Sequence, residues 1–382
     1  MPVHRSLEPP RSINNLYPLY TKMSGSKLFA PIKVGAMNLG HRVAMAPLTR
    51  FRADKDHVHT DLAVDYYTQR ASEPGTLLIT EATFISPQAG GYNNIPGIWN
   101  EAQIKAWKKI TDAVHAKGCS MVMQLWALGR AADPSVLKAD GYDYVSSSAT
   151  PMAEGMPAPR ELTVEEIKQY VADEAQAAKN AIAAGFDGVE LHSANGYLVD
   201  QFLQDTCNKR TDNYGGSIEN RARFALECMQ AITEAVGQDR VGIRLSPWSE
   251  FQGMKMADPK PTFSYLVTEL GNRFPELAYL HVVESRIAGN ADQEENPLEK
   301  SDFLKDLWQD KVFFTAGGYR TESAKEAAEH ENTVVVMGRY FISNPDLVKR
   351  MKEDKPFNDY NRDTFYQYKE PSEGYTDYPF LN

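Results

Sequence analysis

An imidazole, a carboxamide and a phenol stand close together in His192-Ser193-Ala194-Asn195-Gly196-Tyr197. An imidazole and an amide can both donate hydrogen bonds to one oxygen, and a phenol close by can deliver a proton. The plain alternative is a satisfied core histidine beside a polar turn. Just before the trio, apolar Val189 and Leu191 alternate with Glu190, and Gly185 and Gly188 precede them. This pattern predicts a short buried strand entered from a helix that stops at Gly185. The three polar residues then gather where the strand gives way to a loop.

Other side chains fit a site of this kind. Arg244 lies inside the apolar run Val-Gly-Ile-Arg-Leu. A guanidinium there must be paired, either with a structural carboxylate or with a cofactor carrying negative charge, because burying a lone charge costs several kcal/mol or more (~). Gly317-Gly318 and Gly338-Arg339 follow two further apolar runs. Glycines let backbone N–H groups approach a phosphate, and arginine binds one bidentately. Thr49 follows the first run, and Gln124 lies within the third. No metal site is expected, since His57 and His59 share a polar loop without a third ligand at a zinc-protease spacing. Gly-x-Ser-x-Gly and Gly-x-Gly-x-x-Gly are both absent. A nicotinamide cofactor would therefore visit a shared pocket and not be held on a dinucleotide-binding domain.

The elements that must position these residues follow one alternation. Apolar runs at Val43–Ala46, Thr76–Thr80, Ser120–Leu125, Gly188–His192, Val241–Leu245, Tyr279–Val283, Val312–Thr315 and Thr333–Met337 read as parallel strands covered on both faces. Helical patterns follow at Leu62–Arg70, Glu101–His115, Val164–Ala184, Ile218–Val236, Thr262–Asn272, Ser301–Gln309, Glu322–His330 and Asp346–Lys352. Thr163 with Glu166 makes a capping box, and Pro261 suits a first helical turn. Eight such units predict an α/β fold, a (β/α)8 TIM barrel in a single domain over residues 27–382. A doubly wound sheet would carry a glycine-rich loop after its first strand, but here Pro47-Leu48-Thr49-Arg50 follows. Long loops are expected after strand three (131–162) and strand six (286–300), on the face where barrels place their sites. Residues 1–26, rich in Pro, Ser and Arg, read as a flexible arm, and Met1 and Met23 are both possible starts.

Bulk properties narrow the function classes. The chain has 382 residues, 42% of them hydrophobic and 24% charged, enough for a sizeable core. A net charge of -10 argues against nucleic-acid or anionic-membrane partners. No apolar run reaches the length of a membrane span. Three scattered cysteines suggest free thiols in a reducing compartment, hence a cytoplasmic location.

Longer stretches then resemble a known family. His192 to Leu203, Asn208 to Arg221, Ala46 to Arg50, Ile79-Thr80-Glu81, Ser86 to Tyr92, Gln124-Leu125-Trp126, Gly338 to Leu347 and Arg362 to Tyr366 are similar in order and phrasing to the Old Yellow Enzyme family, closest to its fungal members. The resemblance implies an NAD(P)H-dependent ene-reductase with one non-covalent FMN on a TIM barrel. NADPH or NADH would reduce the flavin, and an α,β-unsaturated aldehyde or ketone would then accept hydride at its β-carbon. His192 and Asn195 would hold the carbonyl oxygen, and Tyr197 would protonate the α-carbon. Arg244 and Gln124 would meet the flavin's pyrimidine edge. Pro47, Leu48, Thr49 and Ala82 would lie along the flavin. Gly317, Gly318, Gly338 and Arg339 would hold its phosphate. Tyr92, Trp126, Phe251 and Tyr366 would line the substrate side. A monomer or homodimer acting on small enones or enals is the implied form.

Some positions depart from the yeast pattern. Phe51 stands where the yeast enzyme has methionine, Ala82 stands where glycine is usual, and the loop 287–292 lacks the aromatic that closes the yeast pocket. Three other readings compete. A Schiff-base lyase would want a lysine near a strand end, and the eight strands contain none. A pure binding protein would not need a proton donor such as Tyr197. A flavin-dependent isomerase of fungal secondary metabolism, which returns the hydride, keeps the same site.

Overall fold

The structure, a computed structural model, describes residues 25–289, 291–294, 296, 298–369 and 371–381. The arm over residues 1–26 lies almost wholly outside them, as do both possible starts. Eight parallel strands follow one another: β1 (Val43–Met45), β2 (Leu77–Ile79), β3 (Ser120–Trp126), β4 (Gly188–Ser193), β5 (Val241–Leu245), β6 (Tyr279–Val283), β7 (Phe313–Ala316) and β8 (Thr333–Met337). Each pairs with the next, and β8 returns to β1 through Val335 beside Val43 and Met337 beside Met45. The sheet is therefore a closed barrel, and it has no exposed edge to manage.

Helices α1 (Asp61–Arg70), α2 (Glu101–His115), α3 (Val164–Ala183), α4 (Ile218–Val236), α5 (Lys260–Arg273), α6 (Asp302–Trp308), α7 (Thr321–Ala328) and α8 (Leu347–Lys352) alternate with the strands. The expected boundaries shift by at most two residues, the usual fraying of element ends. Local chemistry starts the long helices. Asn100 and Gln103 cap α2 reciprocally, as Thr163 and Glu166 cap α3. Ser217 accepts from the Asn220 N–H at the start of α4. Each such cap is worth about 1 kcal/mol.

Smaller elements close the ends. An antiparallel hairpin, Ile32–Val34 with Met37–Leu39, precedes β1. Its Val34, Met37 and Leu39 join Leu77, Val122, Phe314 and Val334 in one buried cluster that fills the barrel's amino-terminal end. The sequence reading missed this hairpin because three-residue strands carry little periodicity. The long loop after β3 is not bare: it holds a helix, Pro134–Asp140, and a strand pair, Val145–Ser146 with Arg160–Glu161. The loop after β6 carries a small hairpin, Ile287–Ala288 with Ala291–Asp292. All three cysteines are free and buried. No helix among the described residues is long and apolar enough to cross a membrane.

One buried acid makes the scaffold sensitive to pH. Glu174 on α3 is 2% exposed, and its Oε2 has no hydrogen-bond partner among the described residues. Burial, with Asp173 beside it, raises its pKa from 4.5 to about 8. The folded chain thus holds a proton that the unfolded chain has released, so stability falls as pH rises through that window. Glu174→Gln is expected to stabilise the fold at pH 9 by more than about 1 kcal/mol and to change it little at pH 4. Denaturant midpoints at the two pH values check this, and an equal gain at both would exclude charge as the cause.

Candidate active site

At the end of β4 the chain folds sharply back. Asn195 and Gly196 both take left-handed backbone conformations, with φ of 57° and 77°. Asparagine and glycine are the residues that tolerate this region. The turn is pinned from three sides. The Asn195 N–H donates to Ser246 Oγ at 2.7 Å, the Gly196 N–H donates to Asp200 Oδ2 at 2.8 Å, and Gln252 Nε2 donates to the Asn195 carbonyl at 2.9 Å. Tyr197 caps the helix Leu198–Leu203 and returns to His192, with ring centroids 4.9 Å apart. Trp126 meets the Tyr197 ring edge-on at 4.8 Å. The expected trio is therefore one cluster at the carboxyl end of the barrel.

Two buried atoms in this cluster lack partners among the described residues, His192 Nδ1 and Asn195 Oδ1. Buried polar atoms are normally satisfied, so such a pair points to a bound molecule. Burial, then Arg244 and His281, holds the His192 pKa well below its ordinary value. The imidazole is neutral and offers one N–H. Burial pushes the Tyr197 phenol well above its usual range, so it keeps its proton.

Arg244 is one strand away, its Cα paired with His192 on one side and His281 on the other. Its contact within the chain is not the structural carboxylate that was one of the two alternatives. Nε donates to His281 Nε2 at 3.4 Å, and no carboxylate touches the guanidinium among the described residues. The acid lies one step further: His281 Nδ1 is 2.8 Å from Glu190 Oε2. Gln124 Nε2 donates to the other oxygen, Glu190 Oε1, at 2.7 Å. Sequence reasoning treated Glu190 only as the polar beat of an alternating strand and passed over His281. In a barrel both faces of a strand are covered, so a polar beat points into the interior.

The glycines gather as expected. Gly317 and Gly318 leave β7, and Gly338-Arg339 leave β8. A Cβ on Gly338 would lie 3.3 Å from Leu48, which places the Pro47-Leu48-Thr49 loop beside this end. A second arginine was missed in the sequence: a Cβ on Gly318 would be 3.7 Å from Arg286 Nη2. Arg339 is held by Asp292 of the small hairpin through both guanidinium nitrogens, and Tyr360 Oη lies 3.2 Å from it. A carboxylate thus stands on the arginine expected to meet phosphate.

On the other side of the trio is an aromatic wall. Trp126 meets Tyr92 at 6.2 Å, Tyr92 meets Phe51 at 6.0 Å, and Phe51 meets Tyr366 at 5.8 Å. Phe51 adopts φ 57°, a strained value for a bulky residue. Its neighbours hold it there. Arg50 donates to the carbonyls of Phe365 and Gly374, and Arg52 to those of Phe365, Thr364 and Glu373. Ala82, 4% exposed, packs in the same cluster as Trp126 and Tyr92. Phe251 lies against Gly289, where any Cβ would meet the ring at 2.4 Å. Gly289 thus leaves room for Phe251.

The profile of the NADH:flavin oxidoreductase / NADH oxidase family matches residues 27–358. The chain belongs to this family. It is 57% identical over 361 residues to a chanoclavine-I aldehyde reductase of Penicillium roqueforti, covering 93% of this chain and 96% of that one. It is 50% identical over 372 residues to a probable inactive reductase of Epichloe festucae var. lolii, covering 94% and 96%. Among solved structures, Old Yellow Enzyme from a Pichia species superposes with a TM-score of 0.87 at 43% identity, covering 94% of both chains. The protein is an Old Yellow Enzyme-type oxidoreductase with non-covalent FMN as cofactor and NAD(P)H as reductant. The residues present fit that cofactor: a half-buried cation without a carboxylate contact, two glycine-bearing strand ends and a pair of arginines.

Asp292 must yield, or share its arginine, if a phosphate binds Arg339. Asp292→Asn is therefore expected to tighten FMN binding to the apoprotein several-fold, most clearly at low salt. Fluorescence titration of FMN measures it. Weaker binding would show instead that Asp292 aims the arginine.

Proposed function

We propose that the protein reduces the activated carbon–carbon double bond of α,β-unsaturated aldehydes and ketones. Thr49, Gln124, Arg244, Gly317, Gly318, Gly338 and Arg339 would hold the FMN, with Pro47, Leu48 and Ala82 along its ring. The bound FMN supplies a hydride taken from NAD(P)H. His192 and Asn195 donate to the substrate's carbonyl oxygen. Negative charge grows on that oxygen as hydride arrives at the β-carbon, so two donors placed beforehand stabilise the transition state more than the ground state. A neutral imidazole suits this role, since it donates without giving up its proton. Tyr197 delivers the proton to the α-carbon, and its raised pKa keeps it loaded at neutral pH. Tyr92, Trp126, Phe251 and Tyr366 shape the space for the rest of the substrate, and Phe51 adds to it.

The observation that carries this reading is the unpartnered, buried Nδ1 of a neutral His192 beside a protonated phenol. An aldehyde as the activating group agrees with the name of the Penicillium relative. The phenol also favours net reduction over isomerisation, which returns the hydride and keeps no proton at the α-carbon.

Tyr197→Phe separates the two half-reactions. Reduction of the bound FMN by NADPH is expected at nearly the parent rate, because packing is kept. Reoxidation by an enal should fall by about 10²-fold or more, while substrate binding persists through His192 and Asn195. Stopped-flow traces of each half measure both. Equal slowing of the two halves would remove Tyr197 from the role of proton donor.

A further inference from the structure

Glu190 sits two residues before His192 on β4, and alternation puts both on the same inward face. It is fully buried. A carboxylate in the middle of an apolar barrel costs several kcal/mol (~) unless it is paired and hydrogen-bonded. An apolar side chain would fill the same space without that cost, so the charge itself calls for a reason. Its two oxygens serve two different neighbours, Gln124 at 2.7 Å and His281 at 2.8 Å.

These contacts fix directions. A carboxylate only accepts, so His281 Nδ1 must carry the ring proton. Nε2 is then left with a lone pair, which takes the Nε–H of Arg244 at 3.4 Å. Burial lowers the His281 pKa, which agrees with a neutral ring between the acid and the guanidinium. Gln124 gives its Nε2 to Glu190 and so keeps its carbonyl oxygen as a free acceptor. Arg244 gives one N–H and keeps its Nη donors. An imide edge, carbonyl–N–H–carbonyl, needs one acceptor flanked by donors.

We propose that Glu190 is a positioning residue: through Gln124 and His281 it sets the acceptor–donor order and the net charge presented to the pyrimidine edge of FMN. This rests on the reading above that Gln124 and Arg244 meet that edge. The acid balances the guanidinium across one imidazole. Two-electron reduction adds negative charge to the cofactor, so the reduced state is favoured by Arg244 and disfavoured by Glu190.

The test is the two-electron potential of bound FMN, measured in the reconstituted holoenzyme against a reference dye, together with the FMN dissociation constant. Glu190→Gln keeps the shape and removes the charge. It should raise the potential by a tenfold change in the reduced-to-oxidised ratio, about 30 mV, and weaken FMN binding several-fold. Arg244→Met should move the potential the opposite way. General loosening of the barrel would not give shifts of opposite sign. Glu190→Asp keeps the charge but cannot span both partners, so it should hold the potential near the parent's while weakening FMN binding. A parent-like potential in Glu190→Gln overturns the proposal, provided that Arg244→Met lowers it. If Arg244→Met also leaves it unchanged, the placement of the cofactor edge fails first, and this inference falls with it. Where Glu190→Gln does not fold, parent-like FMN affinity in Glu190→Asp overturns the proposal.

Discussion

The positive charge of Arg244 inside a closed barrel is the constraint around which this site is arranged. A guanidinium is never deprotonated at ordinary pH, so the interior must accommodate it permanently. The protein does so indirectly, with an imidazole in contact and a carboxylate behind it. A carboxylate in direct contact would cancel the charge where the cofactor is to be met. Distance keeps the cation available, while the buried acid keeps the interior close to neutral. Burial, and after it Arg244 and His281, holds the neighbouring His192 low and keeps it a neutral donor.

Around that charge, geometry comes from backbone devices and not from loop length. The left-handed pair Asn195-Gly196 sends Tyr197 back against His192, and three hydrogen bonds from different segments hold the turn. Arg50 and Arg52 collect carbonyls from the segment 364–374 and tie it to the loop after β1. One clamp therefore sets both Phe51 and Tyr366, at opposite ends of the sequence. Cation–π contacts of Arg50 with Tyr66 and Tyr375 add to it.

Much of this was legible in the sequence, and the reasons differ by element. The eight strands were readable because parallel strands buried on both faces form near-continuous apolar runs. The trio was readable because its members are neighbours in the chain, so one strand end positions all three. The short hairpin 32–39 and the helix 198–203 were not, since elements of a few residues show no period. The Glu190–His281 link was hidden for another reason. The two residues are 91 positions apart and meet only once the barrel closes. Arg286 was overlooked because an arginine in a charged loop looks like any surface cation, and only the glycine beside it gives it meaning.

Two acids now mark the two ends of the expected cofactor, Asp292 on Arg339 and Glu190 behind His281, and burial gives them different characters. Asp292 is 58% exposed at its side chain, and its pairing with Arg339 faces water. Such pairs contribute about 0–1 kcal/mol, so a doubly charged phosphate can displace or share one at little cost. Glu190 is fully buried, and removing its partners would strand a charge at a cost of about 3–5 kcal/mol. The first pairing is suited to exchange and the second to permanence. A cofactor that binds without a covalent bond needs both: an end where anions can replace one another, and an end whose hydrogen-bond directions are set before it arrives.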